Sequence, residues 1–271
     1  MTTNKDDTAA SFTALREADG RTFIIPLIDE EMKVKGVGRI NPMREIGEGK
    51  HGDEVIIGQK RFTRLNPRLH ELRTGMLRRA QIINPKDAGL FLAWMGIGVG
   101  DTVFEAGHGS AGLAMQLARI LGNSGTLISA ENRSEHAEVG AANMKRAKGC
   151  FQEFPTWVLL EGSVEDEGLL NDLDLTLDGA ELDAAILDLP EPWESIPGIA
   201  ERLRQAGRLG CYCPVSSQLE KSWQAAEAAG LEVEWAGEII ERRWTIASKG
   251  GVRPGNTPMG HTAFLLIAVK P

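Results

Sequence analysis

The segment Gly107-His108-Gly109-Ser110-Ala111-Gly112 has the spacing G-x-G-x-x-G, between an apolar run (TVFEA) and an amphipathic one (SAGLAMQLARILG). That context makes it a glycine turn joining a strand to a helix. Glycines permit the tight turn and let a ligand touch backbone, while the helix start offers free N–H groups. Glu131 ends the next apolar run, 19 residues beyond Gly112. A carboxylate there can accept from both hydroxyls of a ribose. A plain tight turn beside a surface glutamate would leave the same letters; the strand–turn–helix order favours a nucleoside cofactor. Asp188 closes a further apolar run in ILDLPEPW. An acid at the carboxyl end of such a strand enters the crevice where open α/β sheets bind ligands. It can accept a hydrogen bond from an exocyclic amine and offset positive charge developing on a ring nitrogen; the alternative is a turn cap. Trp193, on a loop stiffened by Pro190 and Pro192, either stacks on a base or packs the loop.

The elements that must hold these residues are legible from periodicity. From Gly100 on, apolar runs alternate with helical patterns: TVFEA, GTLISAEN, TWVLLEG, ELDAAILDLP and RLGCYCPV as strands, with helices over 134–148, 194–206 and 218–229. Short β and α segments in alternation predict an α/β fold with a mostly parallel, doubly wound sheet. LEVEWAGEIIERRWTI and HTAFLLIAV read as two long closing strands of an antiparallel edge hairpin, joined by a Gly/Pro loop. Before Gly100, short β-like runs with glycine breaks predict a small all-β domain. The resulting division is a flexible tail over 1–18, the β domain over 19–66, a basic helical linker over 67–99 and the doubly wound domain over 100–271.

A chain of 271 residues with 42% hydrophobic and 25% charged residues has the makings of an ordinary core, so wholesale disorder is excluded. No run reaches 18 apolar residues and the first 20 are polar, so neither a membrane span nor a secretory signal is expected. Three cysteines suit a reducing cytoplasm. Cys211 and Cys213 share a strand face, but no His or Cys pair stands at ligand spacing, so no metal is expected. The net charge is -8, yet residues 60–86 hold eight basic side chains and one acid, Glu71. A basic stripe on an acidic body suits contact with a phosphate backbone; the plainer alternative is a solvated helix face.

Glu105 precedes the glycine loop on its strand. E-x-G-x-G-x-x-G resembles motif I of S-adenosylmethionine (SAM)-dependent methyltransferases more than a dehydrogenase fingerprint, although NAD satisfies the same geometry. Ser163 and Glu165 follow the third strand, where such enzymes contact adenine. The set RRAQIINPKDAG, FEAGHGSAGL, ILDLPEPW, ERRWTI and GHTAFL, in that order, resembles the tRNA (adenine-58-N1) methyltransferase family in its archaeal and bacterial homo-oligomeric form. The resemblance runs from about residue 20 to the C-terminus and includes the small β domain. It implies a Rossmann-like SAM methyltransferase fold and methylation of N1 of a T-loop adenosine in tRNA. It implies a SAM loop of Gly107, Gly109, Ser110 and Gly112, with Leu113 along the methionine, Glu131 on the ribose and Gln81 approaching from the linker. Asp188 becomes the catalytic carboxylate on the adenine amino group. Lys60, Arg61, Arg64, Arg78, Arg79, Lys86 and Trp193 become the tRNA contacts, and a homotetramer in the cytoplasm is implied. Two residues depart from the pattern: His108 replaces a small residue, and Asn84 replaces an aromatic before Pro85. Competing readings are a methyltransferase acting on an isoaspartyl protein or a small molecule, and a non-catalytic tRNA-binding subunit of the same fold.

Overall fold

The computed structural model describes residues 11–271. The first domain is built from β1 (Phe12–Arg16), β2 (Thr22–Pro26), β3 (Met32–Val34), β4 (Gly38–Ile40), α1 (Pro42–Ile46), β5 (Glu54–Ile57) and β6 (Lys60–Leu65). Four of these strands form an antiparallel sheet in the order β2-β1-β6-β5, and β3 and β4 form a separate hairpin. Leu15, Ile25, Ile40, Ile46 and Phe62 fill its core. The expected tail over 1–18 is corrected here. Thr13, Ala14 and Leu15 are fully buried, so Phe12–Arg16 is a strand paired on both sides, with β2 and β6. The part of that tail over 1–10 lies outside the described residues.

In the helical linker expected over 67–99, the first helix is only α2 (Leu69–Thr74). It ends where the Gly75 N–H closes on the Glu71 carbonyl at 2.8 Å. A side chain at Gly75 would press on Ile24 and the Thr22 carbonyl at 3.0 Å, so the chain crosses β2 closely and leaves as an extended linker. α3 (Pro85–Trp94) follows, with proline at its first position, where no N–H is needed.

The second domain comprises β7 (Thr102–Ala106), α4 (Ala114–Leu121), β8 (Thr126–Glu131), α5 (Ser134–Cys150), β9 (Thr156–Glu161), α6 (Glu167–Leu177), β10 (Leu182–Leu187), α7 (Pro192–Arg202), β11 (Leu203–Cys213), α8 (Ser216–Ala228), β12 (Glu232–Gly237), β13 (Trp244–Ile246), β14 (Val252–Pro254) and β15 (Phe264–Val269). Its seven-stranded sheet runs β12-β15-β11-β10-β7-β8-β9. β15 is antiparallel to both neighbours, while β7 pairs in parallel with β8 and β10. Central strands buried on both faces read as continuous apolar runs, which is why TVFEA and LDAAIL are legible. The helix α6 is not among the expected elements, although Leu169, Leu173 and Leu177 bury one face at helical spacing; the surrounding acids hide it. The run 231–246 is not one strand. It breaks after Gly237, and the segment before β15 folds into its own two-stranded β13–β14 hairpin.

One apolar cluster lies on the sheet face carrying α3, α4 and α5, and it includes Ala14, Ile24 and Leu72 from the first domain and α2. A second cluster lies under α6, α7 and α8. Each fully buried Phe or Leu contributes about 1.5–3 kcal/mol, so the two layers hold the sheet rigid. The chain order reverses across β7, between β8 and β10. A crevice opens at that switch point, outside the carboxyl ends of the strands.

Candidate active site

Gly107 to Leu113 turn from β7 into α4 at the head of this crevice. Gly109 sits at φ +54°, where glycine is at ease, and its N–H donates to Glu131 Oε2 at 2.8 Å. A Cβ at Gly112 would stand 2.6 Å from the Ile82 Cβ, so the linker passes in close contact over the loop. Ser110 fixes that crossing: its Oγ accepts from the Arg79 and Ala80 N–H groups, both at 3.0 Å. Asn143 on α5 completes the clamp. Its Oδ1 accepts from Leu77 N–H at 3.0 Å, and its Nδ2 donates to the Leu77 and Ser110 carbonyls at 2.9 and 3.0 Å. Gln81 is thereby carried to the edge of the crevice.

The crevice has three lobes, and Asp188 lines all of them. The first, of about 150 Å³, is walled by Ala106, Ala130, Glu131, Ser163, Val164 and Leu189. A narrow second lobe lies against Gln81, Glu105, Gly107, Gly109, Ser110, Gly112 and Leu113. The third, a cleft of about 550 Å³, opens between Gln81, Arg133, His136, Asp188, Pro190, Tyr212, Gln218 and Thr262. Asp188 is held where β10 leaves the sheet: its carbonyl accepts from Gly107 N–H at 3.3 Å, and its N–H donates to the Ala106 carbonyl.

Charge is organised around that carboxylate. Burial first, then the Glu105 and Glu131 carboxylates, push the Asp188 carboxyl up to about 7, against the lowering pull of Arg133. Glu131 moves the other way. Burial would raise it, but the Gly109 N–H and the Arg133 side chain and N–H hold its carboxyl below the usual range. Glu105 is a buried charge within a strand, and such a group needs partners. It has two, since His108 Nδ1 and Ser129 Oγ each lie 2.8 Å from its Oε1. The His108 ring in turn packs on Trp157 at 5.6 Å between centroids, and its Nε2 has no partner among the described residues.

Several residues expected at the site belong elsewhere. Glu165 is exposed, and the first lobe is walled by Ser163 and Val164 instead. Trp193 stands outside the crevice; its Nε1 donates to Glu194 at 2.7 Å and the Lys221 ammonium lies 4.2 Å over its ring. Arg64 is buried in the β domain, donating to Thr13 Oγ1 and the Gly47 carbonyl at 3.3 Å. Lys60 bonds Glu17 and Arg61 bonds Glu54, each at 3.0 Å. Lys86 is a buried strap. Its Nζ donates to Asp87 at 2.6 Å, and to Thr262 Oγ1 and the Ile239 carbonyl at 2.7 Å. Only Arg78 and Arg79 of the expected tRNA contacts are exposed without a carboxylate partner among the described residues.

Tyr212 is a site residue that sequence reasoning missed. It stands near the end of β11 beside β10 and shares the cleft wall with Thr262. Burial and the Asp87 and Asp188 charges push its phenol up to about 12, so it stays a neutral donor at the cleft wall. As the only tyrosine of the chain, at the end of a predicted strand, it was open to notice. Arg133 and His136, just past Glu131, gave no sequence signal.

The strand order, the glycine loop at the switch point and the acid closing the neighbouring strand define a class, the Rossmann-like fold of SAM-dependent methyltransferases. A SAM-dependent O-methyltransferase from Thermotoga maritima shares this fold at a TM-score of 0.75, covering 97% of this chain and 94% of that one at 24% identity. The tRNA (m1A58) methyltransferase TrmI from Aquifex aeolicus shares it at 0.66, over 97% of both chains and 21% identity. Residues 65–249 match the family model of the tRNA methyltransferase complex GCD14 subunit. The tRNA (adenine(57)-N(1)/adenine(58)-N(1))-methyltransferase TrmI of Methanocaldococcus jannaschii is 32% identical over 224 residues, 78% of this chain and 79% of its own length. The tRNA (adenine(58)-N(1))-methyltransferase TrmI of Thermus thermophilus is 31% identical over 200 residues, 74% and 73% of the two chains. The chain belongs to the tRNA (adenine-58-N1) methyltransferase family.

Proposed function

We propose that this protein transfers a methyl group from SAM to N1 of adenosine 58 in the T-loop of tRNA. The observation that carries the reading is the place of Asp188, between the glycine-loop lobe and the wider cleft, where a cofactor and a base would meet. The lobes suit the cofactor. Apolar walls at Ala106, Ala130, Val164 and Leu189 accept a flat base, Glu131 stands at ribose depth, and a side chain at Gly112 would drive the linker off the loop. Gln81, Gly107, Gly109, Ser110 and Leu113 would line the methionine end, with Glu105 bracing the loop from below. SAM supplies the electrophilic methyl.

The remaining work falls to the protein. Neutral adenine already carries the attacking lone pair on N1, so no proton has to leave before transfer. The cleft must align that nitrogen, and alignment alone removes a large part of the barrier. Extruding the base from the T-loop costs a few kcal/mol, to be met by contacts elsewhere on the tRNA. Asp188 accepts from the adenine amino group and stabilises the ring cation as it forms. Tyr212, neutral and beside Thr262, offers a hydroxyl at the cleft wall where Asn84 provides no aromatic face. A preorganised partner of this kind is typically worth ~3–4 kcal/mol.

The homotetramer finds support in exposed apolar residues on the β13–β14 hairpin. Among the described residues no helix is long and apolar enough to cross a membrane; a cytoplasmic location follows from the proposed substrate. The test is an unmodified tRNA transcript incubated with SAM and protein, beside transcripts with adenine 57 or 58 replaced, and nucleosides read by mass spectrometry. Loss of 1-methyladenosine only when adenine 58 is replaced is expected. Product in every transcript would keep the chemistry and move the site. None at all with SAM bound would overturn the substrate class.

A further inference from the structure

The arginines of this acidic chain are sorted in space. Over most of the fold they face carboxylates: Arg44 with Asp29, Arg133 with Glu131, Arg202 with Asp174, Arg204 with Asp183 and Arg208 with Glu234, all at 2.6–3.1 Å. Among those with no carboxylate within ion-pair distance in the described residues, six lie together: Arg68, Arg73, Arg78, Arg79, Arg119 and Arg146.

The elements that carry these six touch one another in sequence. Arg78 and Arg79 precede Gln81 at the cleft mouth, held there by the Ser110 bonds. Arg146 on α5 reaches the linker at the Gly75 carbonyl, 3.5 Å away. Arg73 ends α2, which packs on both α4 and α5. Arg68 and Arg119 line one small pocket with Asn66, Cys150, Phe151 and Gln152, and the Arg119 guanidinium lies 5.5 Å over the Phe151 ring. Glu71 and Glu153 border the path. The Glu71 carboxylate is engaged by the Arg68 N–H at 3.0 Å, and Glu153 stands at the far rim against Gly122. From Gly140, packed on the glycine loop, to Cys150 at the pocket, α5 rises about 15 Å. The track therefore starts at the cleft and leads away to the opposite end of the sheet.

Guanidiniums gathered without carboxylate partners on a net-negative molecule make a local positive field that attracts a polyanion, and their planar donor fork matches phosphate oxygens. We propose that this six-arginine track, running from the cleft mouth across α2, α4 and α5, binds the sugar–phosphate backbone of the tRNA outside the methylated loop. The partner rests on the function proposed above. The surface keeps Arg68, Arg73, Arg78 and Arg79 of the stripe at 60–86, loses Lys60, Arg61, Arg64 and Lys86, and gains Arg119 and Arg146.

The test compares full-length wild type with Arg68→Ala/Arg73→Ala/Arg119→Ala, chosen far from the loop. tRNA binding and methylation are measured from 50 to 300 mM KCl. KM for tRNA is expected to rise about 10-fold or more at 150 mM, and the slope of log K against log salt to shrink by about 2–3, since each lost phosphate contact removes ~0.7–0.9. SAM affinity and kcat at saturating tRNA should stay within about 2-fold. The Arg68→Lys/Arg73→Lys/Arg119→Lys variant keeps the charges and should regain most of the affinity, which a purely structural role for these side chains would not allow. Arg39→Ala/Arg44→Ala, on the β domain, should change neither slope nor KM. A triple-alanine variant that methylates tRNA with unchanged KM and slope overturns the track alone. A wild type that transfers no methyl to any tRNA overturns the proposed function and this partner with it.

Discussion

The chemistry at the residue scale turns on one carboxylate kept close to neutrality. Asp188 is raised to about 7 by burial and by Glu105 and Glu131, yet its role requires the ionised form. The pH profile of kcat/KM, which reports the free enzyme, should therefore rise to a plateau above about 7, and Asp188→Asn should lack that rise. Asp188→Ala should bind SAM normally and lose at least ~100-fold in single-turnover rate; a near-normal rate would remove the role. Stability carries the opposite sign. The folded-state carboxyl titrates near 7 and the unfolded one near 3.8. Between those values only the folded chain holds the proton, so this group's contribution is full below about 4 and is lost as pH rises through 7. Asp188→Asn should gain in Tm over wild type, and the gain should grow from pH 4 to pH 8 in thermal melts. His108 belongs to the same balance, because it bonds Glu105, the stronger of the two acids that raise Asp188.

Loop, linker and α5 act as one element, and their joint is where the cofactor site is most exposed to damage. Gly112→Ala places a Cβ 2.6 Å from the branched base of Ile82, which cannot swing aside, so the linker must lift. SAM affinity should fall at least ~10-fold by titration calorimetry while circular dichroism stays native. Asn143→Ala leaves the Ser110 carbonyl unpaired in a buried setting, at a cost of about 1–3 kcal/mol, and removes the partner of the part-buried Leu77 N–H and carbonyl; denaturant melts should show it. Much of this was readable in advance, because the glycine loop, Glu131 and Asp188 follow from local order along four consecutive strands. What escaped depends on distance along the chain. Nothing near Lys86 says that its ammonium is spent on Thr262, 176 residues away, or that Arg64 turns inward to Thr13 while Arg78 meets no carboxylate among the described residues. Residue type marked the basic segment, but burial and pairing decide which of its cations can reach a phosphate. Tyr212 and Thr262 meet only because β15 inserts beside β11.

For the whole molecule, the β13–β14 hairpin poses a physical problem that one chain does not solve. It pairs with no other strand among the described residues, and a lone two-stranded hairpin is marginal in water. Trp244, Ile246 and Val252 are nevertheless 63–77% exposed on it, with Ile240 and Met259 also exposed at its base. Apolar side chains gathered in this way mark an association surface rather than solvated structure. In the proposed homotetramer they are covered by other subunits. Light scattering should then give four times the 29.4 kDa chain mass, and the Tm should fall on dilution, as it does when folding is linked to association. Trp244→Ala/Ile246→Asp removes the apolar face without touching the crevice. It should yield monomers or dimers that still bind SAM at the wild-type affinity, because the glycine loop, Glu131 and Asp188 all come from one chain. A wild type that runs as a monomer at every concentration would leave the hairpin without a partner and end the tetramer reading. A double variant that stays tetrameric would move the interface to another face.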